Sequence, residues 1–177
     1  MLKQDIFGAL DNVVHLTDPA SKVIISSIEN IIYNIAQMDF GNWAAYATEQ
    51  ISQRLTQGDE RYQASGLRAL KSIFQAFELS IGAERINLNN LVDHFFPLLE
   101  QFMGQASFQQ SENYTHMMIL IAKIFFISVQ VSITCCSFRA FLRELKRVIF
   151  WRFFEIPLEL RTPIYLLFPL SLKLLTC

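Results

Sequence analysis

Few residues of this sequence are of the types that carry out catalysis. Their positions along the chain do not predict that they form a common site. The three histidines are far apart along the chain: His15, His94 and His116. Asp93 and His94 are consecutive, so on a helix their side chains point in different directions, and the adjacent Cys135 and Cys136 lack the spacing of a redox or zinc-binding pair. Phosphate-binding loops, dinucleotide fingerprints and common serine and zinc hydrolase motifs are missing from the sequence. We therefore predict no catalytic residue, metal or cofactor, and we expect that the protein is not an enzyme.

The composition is that of a globular protein with few charges. Of the 177 residues, 52% are hydrophobic and 18% are charged, and the net charge is −1. These values exclude a disordered chain and a strongly basic nucleic-acid-binding protein. Three cysteines are too few for a disulfide framework and fit a reducing compartment, and the first residues show no secretory signal pattern.

The charge divides the chain into two regions. Residues 1–136 carry 8 Lys and Arg against 13 Asp and Glu, a net charge of −5, whereas residues 137–177 carry 7 against 3, a net charge of +4. The second region is also rich in leucine and phenylalanine and is interrupted by Pro157, Pro163 and Pro169. We therefore predict a helical domain over 1–136 and an irregular, basic and apolar segment over 137–177, which a truncated gene product or a non-native continuation would explain.

Apolar residues recur at helical spacing along most of the chain, and no alternating strand pattern is present, so the predicted fold class is all-α. Asp18 and Pro19 predict a capped helix start, Asn42 predicts a second cap after a break at 39–41, and Pro97 predicts a kink or a shortened start. The predicted helices cover 3–15, 19–39, 42–57, 60–80, 87–103, 112–131 and 138–154.

The helix starts form pairs that recur every roughly 40 to 50 residues, which is the period of HEAT-type helical repeats. One antiparallel pair cannot cover its own apolar face, so neighbouring pairs would stack into a solenoid. A single globular bundle of six or seven helices is the alternative. Periodicity by itself leaves both architectures open.

The stretch 117–136 is long and apolar enough to suggest a membrane span. Lys123 lies near its middle, however, and a lysine at the bilayer centre costs about 2.5–3.5 kcal/mol, which cancels the contributions of several leucines or isoleucines. A buried helix with Lys123 at its exposed edge explains the same residues without this cost. We favour the buried helix and keep a small membrane-associated helical protein as the alternative.

Four stretches, in their order and spacing, carry a resemblance to a known family: IIYNIAQMDFGNW (31–43), GLRALKSIFQAFE (66–78), LVDHFFPLLEQFM (91–103) and MMILIAKIFF (117–126). The sequence resembles the importin-β-type nuclear transport receptors (karyopherins), most of all the importin-seven/importin-eight type, with the exportin that recycles importin-α a close second. Asp39, Phe40 and Trp43 match the structural motif of the family, and Gly41 stands where the family usually has proline.

The resemblance implies a HEAT-repeat α-α solenoid of about three helix pairs, followed by the irregular C-terminal segment. It also implies a receptor that binds the small GTPase Ran, protein cargo and phenylalanine-glycine nucleoporins, in the nucleus, the cytoplasm and the nuclear pore. Nucleic acid is not an expected partner, and a membrane is not favoured. In the family, the second helix of each pair lines the concave surface, which here means 19–38, 60–80 and 112–131. The partner-binding residues predicted on this surface are Lys22, Glu29, Tyr33, Arg68, Lys71 and Gln75.

Overall fold

A computed structural model describes residues 2–80, 85–105, 111 and 113–129. Five helices account for most of these residues: α1 (Leu2–Val13), α2 (Pro19–Thr56), α3 (Glu60–Ala76), α4 (Arg85–Met103) and α5 (Tyr114–Val129). No strand occurs within these ranges, so the prediction of an all-α fold is confirmed for them. The pair Cys135–Cys136, the predicted helix over 138–154 and the predicted segment 137–177 lie outside the described residues.

Local capping explains where α2 and α3 begin. Asp18 precedes α2, and its carboxylate accepts hydrogen bonds from the Ser21 backbone N–H at 3.0 Å and from the Ser21 hydroxyl, while Pro19 occupies the first turn. Asp59 precedes α3 and accepts from the Arg61 backbone N–H at 2.9 Å. Each carboxylate satisfies a donor that the first helical turn leaves unpaired. The predicted starts at 19 and 60 are therefore confirmed.

The predicted break between helices over 19–39 and 42–57 is confirmed as a kink at which two helical arms meet, although the second arm begins before Asn42. Both lie within α2, which is interrupted only at Asp39, the single residue with non-helical dihedral angles (φ −148°, ψ 34°). The Asn42 side chain, which we expected to cap a new helix, donates to the Asp39 carboxylate at 2.7 Å. Because helical geometry resumes immediately after Asp39, the break is a kink between two arms, 19–38 and 40–56, and not a loop.

Other helix boundaries also differ from the predictions, and α1 ends at Val13 instead of residue 15. α3 ends at Ala76, and residues 77–79 form turns, whereas the prediction extended this helix to residue 80. α4 begins at Arg85 and continues through Pro97 to Met103, so proline does not shorten its start. Proline removes only one backbone donor, and the buried side chains on both sides of it keep the helix packed on its neighbours.

The helices lie in two rows. Row A contains α1, the second arm of α2 and α4, as shown by the stacking of Phe7 on Trp43 (ring centroids 5.8 Å apart) and by a 3.1 Å contact between Ser52 Oγ and His94 Nε2. Row B contains the first arm of α2, then α3, then α5; the polar contacts that join these helices are described below. α3 packs on α1, α2 and α5.

The hydrophobic core lies between the two rows and is continuous across the described helices. The largest fully buried side chains come from all four of the first helices: Phe7, Leu10, Ile32, Ile51, Leu55, Leu67, Phe74, Phe95, Phe96 and Phe102. α3 approaches the second arm of α2 closely at Gly66, where an added Cβ would lie 3.1 Å from the Cβ of Arg54. Apolar residues that recur at helical spacing therefore meet in one core, with exceptions in α2, where Ile24 and Ile31 are 47% and 49% exposed.

Candidate functional site

A cluster of charged side chains joins the helices of row B. The Glu29 carboxylate, on the first arm of α2, accepts from Arg68 Nη1 through Oε1 and from Lys71 Nζ through Oε2, both at 2.9 Å. Arg68 and Lys71 are three residues apart on α3, a spacing that places both on the same side of the helix. All three side chains are 13–19% exposed. One carboxylate therefore bridges two partly buried cations.

Arg68 also reaches α5. Its Nη2 lies 2.9 Å from Nε2 of His116. A guanidinium only donates hydrogen bonds, so His116 accepts through Nε2, as a neutral imidazole with its proton on Nδ1. Partial desolvation lowers the pKa of His116 below its ordinary value of 6.5, and the positive charges of Arg68 and Lys123 lower it further. The cluster of Glu29, Arg68, Lys71 and His116 therefore ties three consecutive helices of row B together.

The six predicted partner-binding residues lie along this same side of row B. Glu29, Arg68 and Lys71 are in contact, as described above. Lys22 is exposed two turns before Glu29 on α2, and Gln75 is exposed one turn after Lys71 on α3. Tyr33 is half-buried one turn after Glu29, and its hydroxyl accepts from the Gln37 side chain at 2.7 Å. The structure thus brings three of the six together and leaves the other three around them.

Sequence reasoning missed His116 and Lys123, which α5 contributes to this side of row B. Both occur on the predicted helix 112–131, which we placed on the concave surface without naming any partner-binding residue on it. The two residues are seven positions apart, and this spacing predicts that their side chains lie on the same side of a helix. Their proximity to Arg68 was not visible, since it depends on how α5 packs on α3.

The motif residues Asp39, Phe40 and Trp43 lie around the kink in α2. The ring of Phe40 meets the ring of Phe77 edge-on, with centroids 4.8 Å apart. Trp43 is buried and stacks on Phe7 in α1. These contacts join the kinked helix to α3 on one side and to α1 on the other, which is a structural role.

A second polar cluster, which the sequence analysis did not predict, links α1, α2 and α3. Arg54 donates to both carboxylate oxygens of Asp11, from Nε at 3.1 Å and from Nη2 at 2.7 Å, and the Ser65 hydroxyl donates to the same carboxylate. The Arg54 guanidinium also lies 5.1 Å from the ring centroid of Phe7. Both charged side chains are about nine-tenths buried. The geometry is that of a structural ion pair.

The described residues contain no group of three or more His, Cys, Asp or Glu side chains that could hold a metal ion. None of the helices described combines the length and the apolar character needed to cross a bilayer. Residues 130–136 of the stretch that we considered as a membrane span lie outside the described residues. The row B cluster is therefore the arrangement that we consider as a functional site.

Comparison with known proteins adds no further assignment. No family model, no curated protein and no solved structure matches this chain.

Proposed function

We propose that the chain is a protein-binding, HEAT-type helical-repeat segment of an importin-β-like nuclear transport receptor, which binds Ran in its GTP form and protein cargo. The observation that carries the proposal is the alternation of the helices between two rows. Each successive pair supplies one helix to row A and the next to row B: α1 with the first arm of α2, the second arm of α2 with α3, and α4 with α5.

This alternation favours a solenoid over a closed bundle. In a repeat array, each pair lies beside the next and equivalent helices become neighbours, which is the relation between Glu29, Arg68 and His116 in row B. The contacts of Phe7 with Trp43 and of Ser52 with His94 give the same relation in row A. The number of pairs described, three, is also the number that the resemblance implies.

In this proposal, the polar side of row B forms the partner-binding surface, with Lys22, Glu29, Tyr33, Arg68, Lys71 and Gln75 on it. Ran and cargo would compete for this surface through linked binding free energies. Row A, whose Trp43, Ile51 and Phe95 are buried in the core, would present shallow grooves between its helices to phenylalanine-glycine nucleoporins. The chain would then be found in the nucleus, in the cytoplasm and at the nuclear pore.

A pull-down of the full chain with Ran locked in its GTP form tests the proposal. We expect retention of the GTP form and little retention of the GDP form. The variant Gln75→Glu, which changes an exposed residue on the proposed surface, should weaken retention more than Gln53→Glu, which changes an exposed residue of row A. Equal retention of both nucleotide forms, or of neither, would contradict the proposed Ran binding.

Carbonate extraction of cell membranes tests the alternative of a membrane-associated protein. The transport-receptor proposal requires that the chain be released into the supernatant. Retention in the membrane pellet would contradict the proposal and would favour a span near 117–136.

A further inference from the structure

We propose that the chain forms a weak dimer, in which the outer edge of row B packs on the same edge of a second copy with the two helices antiparallel. This edge belongs to the first arm of α2 and lies on the side away from α3. The inference goes beyond the proposed function, because neither Ran nor cargo takes part in it.

The outer edge of row B carries exposed side chains without charge. Glu29 faces α3, as its ion pairs show. Successive residues of a helix are turned by about 100°, so Ile24, Ile31 and Met38 lie within about 40° of the direction opposite Glu29. They are 47%, 49% and 85% exposed. We define the edge strip as the six exposed residues on this side: Ala20, Ile24, Ser27, Ile31, Asn34 and Met38.

α1 continues this uncharged surface in row A. Phe7 and Asp11 contact the second arm of α2, and Ala9 lies within about 20° of the direction opposite to both. Ala9 is exposed, and so is Leu16, in the turn between α1 and α2, at 40%. In the described part of the chain, the end of the two rows formed by α1 and the first arm of α2 is therefore open to a partner.

The spacing along the edge strip fits a second copy of the same strip. Ile24 and Met38 are each seven residues from Ile31, and residues seven apart lie nearly in line along a helix. A twofold axis at Ile31 therefore places Ile31 on its own equivalent and Ile24 on Met38 of the second copy, at both ends of the strip. Such a contact uses the same surface on both copies and closes as a dimer.

Neither charge nor desolvation opposes this contact. The edge strip contains no charged residue, and the chain carries a net charge of −1, so two copies repel each other little. The Ser27 hydroxyl donates to the Val23 carbonyl oxygen at 2.9 Å, so this donor stays paired when the strip is buried. Asn34 is turned by about 60° from Ile31, away from the core, which leaves its amide at the hydrated rim of the strip.

The area available is that of a weak interface. A helix rises about 1.5 Å per residue and is about 10 Å wide, so the edge strip and α1 together present roughly 450 Å² per copy. Two copies would bury about 900 Å², which is at the low end of interface sizes, where association is weak and transient. The dilute chain should therefore be monomeric and the concentrated chain dimeric.

The residue types favour a second helix over a lipid surface as the occupant. Helices that lie in a membrane interface carry lysine and arginine on the polar face. Lys22 is the single cation of the first arm of α2, 19–38. The seven-residue spacing of apolar side chains is instead typical of a seam between two helices.

Sedimentation equilibrium of the full chain tests the dimer. We expect the average mass to rise from monomer toward dimer with concentration, with a dissociation constant of about 10–100 µM. Ile24→Lys and Met38→Glu should each weaken dimerisation about tenfold or more, because each places a charge against an apolar side chain of the second copy. Both positions are exposed, so the fold should survive, which far-UV circular dichroism checks.

The double variant Ile24→Lys/Met38→Glu tests the antiparallel arrangement. It should recover most of the lost affinity, because each new lysine meets a new glutamate of the second copy. Within one copy the two positions are about 21 Å apart along the helix and cannot pair. The matched control is Val23→Lys, which changes a 68% exposed residue that is turned by about 100° from Ile24 toward solvent, and which should leave dimerisation unchanged.

Three results would overturn the inference: a mass that does not change with concentration, an equal loss for Val23→Lys, or a double variant that dimerises no better than the single variants. Growth beyond the dimer would also overturn it, because a twofold contact closes. Binding to phosphatidylcholine vesicles that Met38→Glu abolishes would assign the strip to a lipid surface instead. None of these measurements involves Ran, so the proposed function and the proposed dimer can fail separately.

Discussion

At the scale of single residues, adjacent isoleucines in α2 differ completely in their surroundings. Ile32 is fully buried in the core between the rows, whereas Ile31 is 49% exposed. We expect Ile32→Ala to lower the free energy of unfolding by about 2–5 kcal/mol, because it removes buried methyl groups and leaves a cavity. Ile31→Ala should change it by no more than about 0.5 kcal/mol. Urea denaturation of both variants measures the difference, and equal effects would contradict the packing of α2.

Two glycines within helices differ in the space that is available for a side chain. Gly8 in α1 has open space around the position of an added Cβ, whereas at Gly66 that atom would lie 3.1 Å from Arg54. Gly8→Ala should raise the free energy of unfolding by about 1 kcal/mol, since alanine loses less backbone entropy in a helix. Gly66→Ala should gain less or destabilise the protein. A stabilisation of equal size in thermal unfolding would show that α3 and α2 are not this close at Gly66.

At the scale of helices, the Asp11–Arg54 pair joins α1 to the second arm of α2. Asp11→Asn would leave the buried guanidinium without its counter-charge, and we expect a loss of about 3–5 kcal/mol in the free energy of unfolding. Asp5→Asn changes an exposed carboxylate of the same helix and is the matched control, with an expected change within about 0.5 kcal/mol. Chemical denaturation checks both, and similar losses would contradict the structural role of the pair.

His116 makes the contact between α3 and α5 dependent on pH. Its pKa is below the ordinary value of 6.5 in the folded state, so the unfolded chain binds more protons than the folded chain between the two pKa values. Stability should therefore fall as the pH is lowered from about 6.5 through the folded pKa, where protonation removes the acceptor of Arg68.

The control for this prediction is His116→Gln, whose side chain can still accept from Arg68 but does not titrate. Urea midpoints measured on both sides of pH 6.5 should differ more for the wild type than for the variant. The same pH dependence in both proteins would show that other groups cause it.

At the scale of the whole molecule, α3 packs on three other helices, α1, α2 and α5, whereas α1 and α5 each pack on two. In a stacked array, stability comes from contacts between adjacent units, so a helix at the middle opens less often than one with neighbours on one side. We expect amide hydrogens in the middle of α3 to exchange more slowly than those of α1 and α5. Hydrogen exchange followed by mass spectrometry measures this, and uniform protection of all helices would favour one closed cooperative bundle.

The difference between predicted and observed helices has a physical reason at each position. The starts at 19 and 60 were predictable because Asp18 and Asp59 cap the turn that directly follows them. The kink at Asp39 was predicted as a full break, because Gly41 and Asn42 are common at helix boundaries. Trp43 and Ile32, on either side of the kink, are both buried in the core, and helical geometry resumes directly after Asp39.

The sequence by itself determined the all-helical class of the described residues, the Asp18 cap that begins α2, and the start of α3 after the break at 58–59. Each of these depends on residues within a few positions of one another. Only the tertiary structure decided that Glu29 meets Arg68 and Lys71, that Arg68 meets His116, and that Arg54 meets Asp11. These partners are 39 to 48 residues apart, and their meeting depends on which helices lie side by side, for which local spacing carries no signal.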